Sequence, residues 1–205
     1  MFTQVIFGGG FLGVLIWLLL FATSTAAVAI SIKLFISIRK GNFISEELAN
    51  DINTLCRQKE LNEAYGLCHE RSDAFSRVMD EVFKHYNNDQ KTHEESATAV
   101  VDKSARHLLR QINTLQMCGN IAPMLGLLGT VTGMVSAFMG LGTAMGPEKA
   151  SVLAVSISQA LYTTAAGLLI AVPCLAFVNY FRNTLEKRIQ DLNEAVSDII
   201  LELER

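Results

Sequence analysis

The segment APMLGLLGTVTGM, residues 122–134, is apolar and rich in glycine, yet it holds two threonines, Thr130 and Thr132. It lies in an uncharged stretch, residues 111–147, and a second uncharged stretch follows at residues 150–181. A helix of about 20 apolar residues is long enough to cross a bilayer. The segment therefore predicts the first arm of a hairpin of two membrane helices.

A third uncharged stretch, FLGVLIWLLLFATSTAAVAISI, fills residues 11–32. Of the 205 residues, 50% are hydrophobic and only 18% are charged, which excludes a disordered chain. A soluble protein would need three long, wholly uncharged helices inside a small core. We therefore predict an all-α membrane protein with three transmembrane helices and long cytoplasmic helical extensions.

The 17 Lys and Arg residues are unevenly placed, with none in residues 1–32, twelve in residues 33–110, one (Lys149) in the turn near Pro147 and four after residue 181. Positive charge marks the cytoplasmic side, so we expect a periplasmic N-terminus and a cytoplasmic C-terminus. A cleaved signal peptide is the alternative for the first span. It lacks a basic segment before the apolar run and has a basic flank after it, so we expect a retained helix. The predicted order is a periplasmic N-terminus (1–10), transmembrane helix 1 (11–32), a cytoplasmic helical domain (33–115), transmembrane helix 2 (118–145), a periplasmic turn (146–149), transmembrane helix 3 (150–180) and a cytoplasmic C-terminal helix (181–205).

The cytoplasmic segments have helical patterns and no alternation of period two, so we predict no sheet. Ser45 is a candidate N-cap, and a helix beginning near Asn88 or Asp89 is expected to run into the second span. The third span should continue into the tail, because neither Gly nor Pro follows residue 174. An apolar stripe at helical spacing comprises Ala74, Phe75, Val78, Met79, Val82, Phe83 and Tyr86.

The tail also carries a heptad seam, which needs a covering partner. The seam could pack on helices of its own chain or against copies of itself around a ring, and both arrangements can hold together. Its residues are Leu185, Ile189, Leu192, Val196, Ile199 and Leu203.

The hairpin holds polar and small residues at corresponding heights. With the turn centred on Pro147, Thr130 and Thr164 each lie 17 residues from it, a depth of roughly 25 Å. Pro123 and Pro173 are nearly matched and predict helix kinks. Taken singly, these threonines are more often structural, and small residues ordinarily serve helix packing. The small residues on the same faces are Gly126, Gly133, Ala137, Ala160, Gly167 and Ala171.

No Asp, Glu, Lys, Arg or His lies inside the three spans. Such a chain cannot relay protons by ionisation of its own side chains, so a partner would have to bring the acid. The four cysteines have no metal-ligand spacing, and no nucleophile–base pair or phosphate loop is present. We expect no cofactor, no bound metal, no nucleic-acid partner and no enzymatic activity.

The segment APMLGLLGTVTGM, with ISQALYTTAAGLLIAVPCLAFVNYF after it, resembles the ExbB/TolQ/MotA proton-channel family, and most closely its ExbB and TolQ branch. The resemblance implies a subunit of an ion-driven motor in the bacterial inner membrane, with five copies in a ring. It further implies two copies of a single-span ExbD-like or TolR-like partner in the pore, with a membrane aspartate. Force would pass to a TonB-like or TolA-like protein.

The resemblance also implies site residues. The family's two pore threonines map onto Thr130 and Thr164, and Thr163 adds a third hydroxyl. Many relatives carry a glutamate where this chain has Gln159, which leaves a sodium-driven version open beside the expected proton-driven one. A non-conducting membrane scaffold is the remaining alternative. We predict that the ion path is lined by Thr130, Thr164, Thr163, Gly126, Gly133, Ala160 and Gly167.

Overall fold

The computed structural model describes residues 10–39, 43, 46–58, 60–69, 71, 73–84, 90–143 and 148–203. Every regular element in these ranges is helical, as predicted. The predictions for Ser45, Asn88, Asp89, Tyr86 and Pro147 lie outside the described residues. The helices are α1 (Gly10–Ser37), α2 (Glu46–Arg57), α3 (Leu61–His69), α4 (Ala74–Lys84), α5 (Gln90–Thr143) and α6 (Glu148–Leu203).

Three of these helices are long and apolar enough to cross a membrane. The candidate spans lie within Phe11–Ser37, Ser96–Gly142 and Leu153–Leu201. Helix α5 has 54 residues and α6 has 56, so both continue far beyond a bilayer's thickness without a break. The predicted long extensions of the second and third spans are confirmed, and α6 begins two residues earlier than the predicted span.

The chain forms two compact units. The first, here called the apolar unit, comprises residues up to Ile32 and Asn113–Asn179. The second, here called the charged unit, comprises Lys33–Ile112 and Tyr180–Arg205. Helices α1, α5 and α6 contribute residues to both units.

The apolar unit exposes many of its large side chains, although Ile16, Leu20 and Leu115 are buried, and it buries many of its small ones. Phe11 is 83% exposed and Leu169 is 78% exposed, whereas Ala122, Ala137 and Ala160 are buried. Large apolar side chains face outward when lipid or other membrane helices cover them, and small residues let helix backbones approach closely. The distribution is that of a membrane-embedded helix bundle.

The charged unit has the reverse arrangement, with large side chains inside. Helix α4 buries Phe75, Val78 and Met79 completely, and the predicted apolar stripe is confirmed from Ala74 to Val82. Helix α2 adds Leu48 and Ile52, each at most 1% exposed. These large apolar side chains form the core of the charged unit.

The C-terminal heptad seam is buried within the same chain. Leu185 and Leu192 are each 1% exposed, Val196 and Ile199 are also buried, and Ile189 is partly buried. Of the two partners proposed for this seam, its own chain supplies one.

Two local interactions order α3 and α4. The Ser76 hydroxyl donates a hydrogen bond to the carboxylate of Asp73, which precedes the first residue of α4. At the other end of α4, Asp80 lies 2.6 Å from Lys84 Nζ and 3.4 Å from Nδ1 of His69 on α3. Burial alone would raise the pKa of Asp80, but hydrogen bonds from Lys84 and His69 outweigh it and hold that pKa below its ordinary value.

Candidate functional site

Glycines bring α5 and α6 into backbone contact in the apolar unit. A Cβ atom added at Gly167 would lie 2.5 Å from the carbonyl oxygen of Ala122, and one added at Gly126 would lie 2.9 Å from Cα of Thr164. One added at Gly133 would lie 2.6 Å from Cβ of Ala160. No side chain fits at these distances, so glycine is required for the two helices to approach this closely.

This close approach allows two threonines of α6 to reach one carbonyl oxygen on α5. The Thr164 hydroxyl donates to the carbonyl oxygen of Gly126 at 2.9 Å. The Thr163 hydroxyl lies 3.3 Å from the same oxygen and also donates to the carbonyl of Ala160 at 2.7 Å. The two threonines differ in burial, since Thr163 is 7% exposed and Thr164 remains partly exposed.

The third predicted hydroxyl, that of Thr130, bonds within its own helix. It donates to the carbonyl oxygen of Leu127 at 2.7 Å, and its side chain is partly exposed. Thr164 lies opposite Gly126. Thr130 follows Gly126 by four residues, so it lies roughly 6 Å along α5 from the level of Thr164. The expectation that Thr130 and Thr164 share one depth is therefore wrong by about one helical turn. The glycine contacts set the register of the hairpin, and they differ from a count centred on Pro147.

The predicted site residues thus divide into two groups. Thr130 and Thr164 keep part of their surface exposed in the single chain. The remaining residues pack between α5 and α6: Thr163, Gly126, Gly133, Ala160 and Gly167.

Pro123 and Pro173 lie inside α5 and α6, and both helices continue through them. A proline removes one backbone hydrogen bond and crowds the preceding turn. The kinks expected at these two positions remain predictions.

The hairpin is electrically neutral but not devoid of polar atoms. Residues 111–147 and 150–181 contain no Asp, Glu, Lys, Arg or His. The hydroxyl protons of Thr130, Thr163 and Thr164 point to backbone carbonyls, which leaves the oxygen lone pairs as acceptors. Among the described residues, no group of His, Cys, Asp and Glu side chains is placed to hold a metal ion.

The bonds from α6 to the Gly126 carbonyl are the feature that the sequence did not reveal. A doublet of threonines facing a glycine on the antiparallel helix would have been the signal, but it becomes readable only when the register is known. Counting from a turn gives the register to within a helical turn, which is too coarse to pair one hydroxyl with one carbonyl.

An uncharged, glycine-packed helical hairpin with interhelical hydroxyl bonds is typical of a polytopic membrane protein. Residues 70–194, more than half of the chain, match the model of the MotA/TolQ/ExbB proton channel family. The chain belongs to this family, and the resemblance found in the sequence motifs is confirmed. The match includes the whole of the hairpin and part of the charged unit.

Similar proteins carry ExbB names. The chain is 32% identical over 123 residues to biopolymer transport protein exbB1 of Vibrio cholerae, covering 60% of this chain and 54% of that protein. It is 30% identical over 106 residues to biopolymer transport protein ExbB of Pseudomonas putida, covering 52% of this chain and 32% of that protein. The chain thus spans about half or less of the length of these two relatives. A longer match, 28% identical over 208 residues, joins it to biopolymer transport protein ExbB of Neisseria gonorrhoeae and covers 94% of this chain and 91% of that protein.

Proposed function

We propose that the chain is the ring-forming subunit of an ion-driven motor in the bacterial inner membrane. Five copies surround two copies of an ExbD-like or TolR-like single-span partner, and proton flow through the assembly drives a TonB-like or TolA-like protein. Membership of a proton channel family and relatives named as biopolymer transport proteins support this proposal. The work performed is TonB-dependent import or Tol-type envelope maintenance.

The observation that carries the proposal is the pairing of neutral spans with partly exposed hydroxyl oxygens. The spans contain no carboxyl, amino, guanidinium or imidazole side chain that could exchange a proton. Thr130 and Thr164 present oxygen lone pairs, because their own protons are committed to the carbonyls of Leu127 and Gly126. Such oxygens accept a hydrogen bond from a protonated carboxyl group, so they suit a path in which the partner's acid carries the proton.

The proposed roles follow the two groups of residues in the hairpin. Thr130 and Thr164 line the ion path, about one turn apart. Gly126, Gly133, Ala160 and Gly167 hold α5 and α6 close enough for these hydroxyls to be fixed in place. We assign Thr163 mainly to packing, because it is almost fully buried.

The proposed topology places the charged unit in the cytoplasm and the N-terminus in the periplasm. Twelve of the 17 Lys and Arg residues lie in residues 33–110, and positive charge favours the cytoplasmic side. In this orientation the α5–α6 connection faces the periplasm.

The driving force is sufficient for such a motor. One elementary charge moving through a potential of 100 mV releases about 2.3 kcal/mol, and a pH gradient adds to it. Movement of several protons therefore supplies the free energy for stepwise rearrangement of a partner helix inside the ring.

The experiment is to reconstitute the ring with its partner in liposomes and to compare proton uptake for Thr164→Val, Thr164→Ser and the unchanged chain. Valine keeps the shape of threonine but removes the hydroxyl, so proton uptake should be lost, and serine should restore much of it. The lost interhelical hydrogen bond itself costs only about 0.6 kcal/mol in membrane helices, too little to prevent assembly.

Two variants separate the ion path from packing. Thr25→Val removes a hydroxyl of α1 that bonds only to carbonyls of its own helix, and it should leave proton uptake unchanged. Thr163→Val removes the buried hydroxyl beside Thr164 and should lower the ring's thermal stability more than its proton uptake. Full activity of Thr164→Val in intact rings would contradict the proposal.

The same liposomes test the two alternatives. Uptake that follows a sodium gradient at constant pH would identify a sodium-driven motor. Absence of uptake for either ion, with the partner present and the ring intact, would identify a non-conducting scaffold.

A further inference from the structure

A small, partly open cavity lies in the apolar unit, where residues of α1 meet the hairpin. Its volume is about 30 Å³, and all three membrane helices contribute to its wall. Most of the wall is apolar, but several of the lining residues have polar side chains. They belong to Trp17 on α1, Thr132 and Ser136 on α5, and Ser156, Gln159 and Thr163 on α6.

One hydrogen-bond donor of a residue that lines this cavity has no acceptor among the described residues. The indole Nε1–H of Trp17 is buried and has no acceptor among the residues that the structure describes. An indole nitrogen only donates, and a buried donor without an acceptor costs about 1–3 kcal/mol. An occupant of the cavity that carries an acceptor atom would satisfy this donor.

The same cavity also offers acceptors. The Thr132 hydroxyl donates to the carbonyls of Leu128 and Gly129 at 3.0 and 3.1 Å. The Thr163 hydroxyl donates to the carbonyl of Ala160 at 2.7 Å. Their protons are thus already committed, and each oxygen presents lone pairs that a further donor can use.

These requirements select one chemical class of occupant. A metal cation has no lone pair to offer the indole N–H, and an anion would find no positive charge in the uncharged spans. Water accepts from the indole and donates to the threonine oxygens at once. A cavity needs roughly 10–15 Å³ to hold one water molecule, and this cavity exceeds that volume.

We propose that the cavity is a hydration site, in which one or two water molecules accept a hydrogen bond from Trp17 Nε1 and donate to the hydroxyl oxygens of Thr132 and Thr163. This water joins α1 to the α5–α6 hairpin. Hydrogen bonds matter at this contact because membrane helices associate without a hydrophobic driving force. The site lies within one chain and does not depend on ion transport.

The chain contains a single tryptophan, so indole labelling reports on this site alone. The experiment uses the full-length chain, labelled with ¹⁵N at the indole nitrogen and embedded in lipid, and measures magnetisation transfer from water to the indole N–H by solid-state NMR. Transfer should be fast in the unchanged chain. The double variant Thr132→Val, Thr163→Val removes the two proposed acceptors and should slow it several-fold.

Thr25→Val is the matched control, because it removes a hydroxyl on the same helix as Trp17 that does not line the cavity. It should leave the transfer unchanged. Slow transfer in the unchanged chain would overturn the proposal, since it means that no water reaches the indole. Equal transfer in the double variant would overturn it too, because the indole would then be hydrated from elsewhere, for example from the lipid headgroup region.

A second measurement does not depend on variants. A structure of the assembled ring at a resolution that shows water should contain a peak about 3 Å from Trp17 Nε1, within hydrogen-bond distance of it. A direct bond from Nε1 to a protein carbonyl, with an empty cavity, would contradict the proposed site.

Discussion

The apolar unit and the charged unit are both built from helices, yet different atoms hold them together. In the charged unit, large side chains such as Phe75 and Met79 are completely buried. In the apolar unit, Gly126 and Gly167 bring backbones into contact, and threonine hydroxyls bond to a carbonyl across the gap. In water the hydrophobic effect favours burial of large apolar side chains. In lipid this driving force is absent, so such side chains can stay on the surface.

The contrast has a functional consequence. In the charged unit the buried Ser76 hydroxyl bonds to a side chain near it in sequence, whereas close approach at glycines leaves hydroxyls of one membrane helix within reach of a backbone carbonyl of the other. The hairpin can therefore present fixed neutral oxygens along a membrane path.

The largest expected effect is that of Phe75→Ala, which removes a ring from the centre of the charged unit. Deleting a fully buried phenylalanine costs about 3–5 kcal/mol, so the free energy of unfolding should fall by that order. Chemical denaturation followed by circular dichroism measures it. Leu169→Ala is the comparison, since Leu169 is 78% exposed in the apolar unit and should cost far less. Equal losses would remove the contrast between the two units.

A smaller loss is expected from Gly167→Ala in the apolar unit. The added methyl group would meet the backbone carbonyl of Ala122, which cannot move aside as a flexible side chain could. Overpacking of this kind costs about 1–3 kcal/mol, and thermal unfolding in detergent should reveal it. Gly142→Ala adds the same methyl group at a site where, beyond its own helical turn, none of the described residues comes within 4 Å. Equal melting temperatures for the two variants would contradict the claim that close backbone contact stabilises the hairpin.

The effect that is smallest at neutral pH concerns the pH dependence of the charged unit. Burial, with nearby Asp73 and Asp80, raises the pKa of the Cys68 thiol to about 12 from its ordinary value of 9.0. The unfolded chain ionises this thiol from about pH 9 upward while the folded chain keeps it neutral. The free energy of unfolding should therefore be highest below pH 9 and should decline as the pH rises toward 12.

Denaturation curves below and above pH 9 measure this decline, and Cys68→Ala should flatten it. An equally steep decline in that variant would assign the effect to other groups. Cys68 should also resist alkylation in the folded chain at neutral pH, because the thiolate is the reactive form.

Much of the fold could be predicted from the sequence, because long uncharged stretches and helical stripes are governed by simple periodicity. The continuation of α6 through residue 174 into the tail followed from the lack of Gly and Pro there. The partner of the tail seam could not be predicted, since Leu185 and Leu192 fit a seam on their own chain and a seam between copies equally well.

The candidate site was less predictable than the fold. The importance of the hairpin's threonines and glycines could be seen in their types and spacing. The register between α5 and α6 could not be predicted. It depends on the close backbone contact between Gly126 and Thr164, which a residue count from the turn does not give. The cavity beside Trp17 is formed by three helices distant in the chain, so no local pattern indicates it.

The central claim is that this chain provides a neutral, hydroxyl-bearing path and that another polypeptide provides the acid. The most direct test measures proton flux into liposomes that contain the ring alone, the ring with its single-span partner, or the ring with the partner's membrane aspartate changed to asparagine. Flux should occur only with the unchanged partner. Comparable flux through the ring alone would contradict the claim.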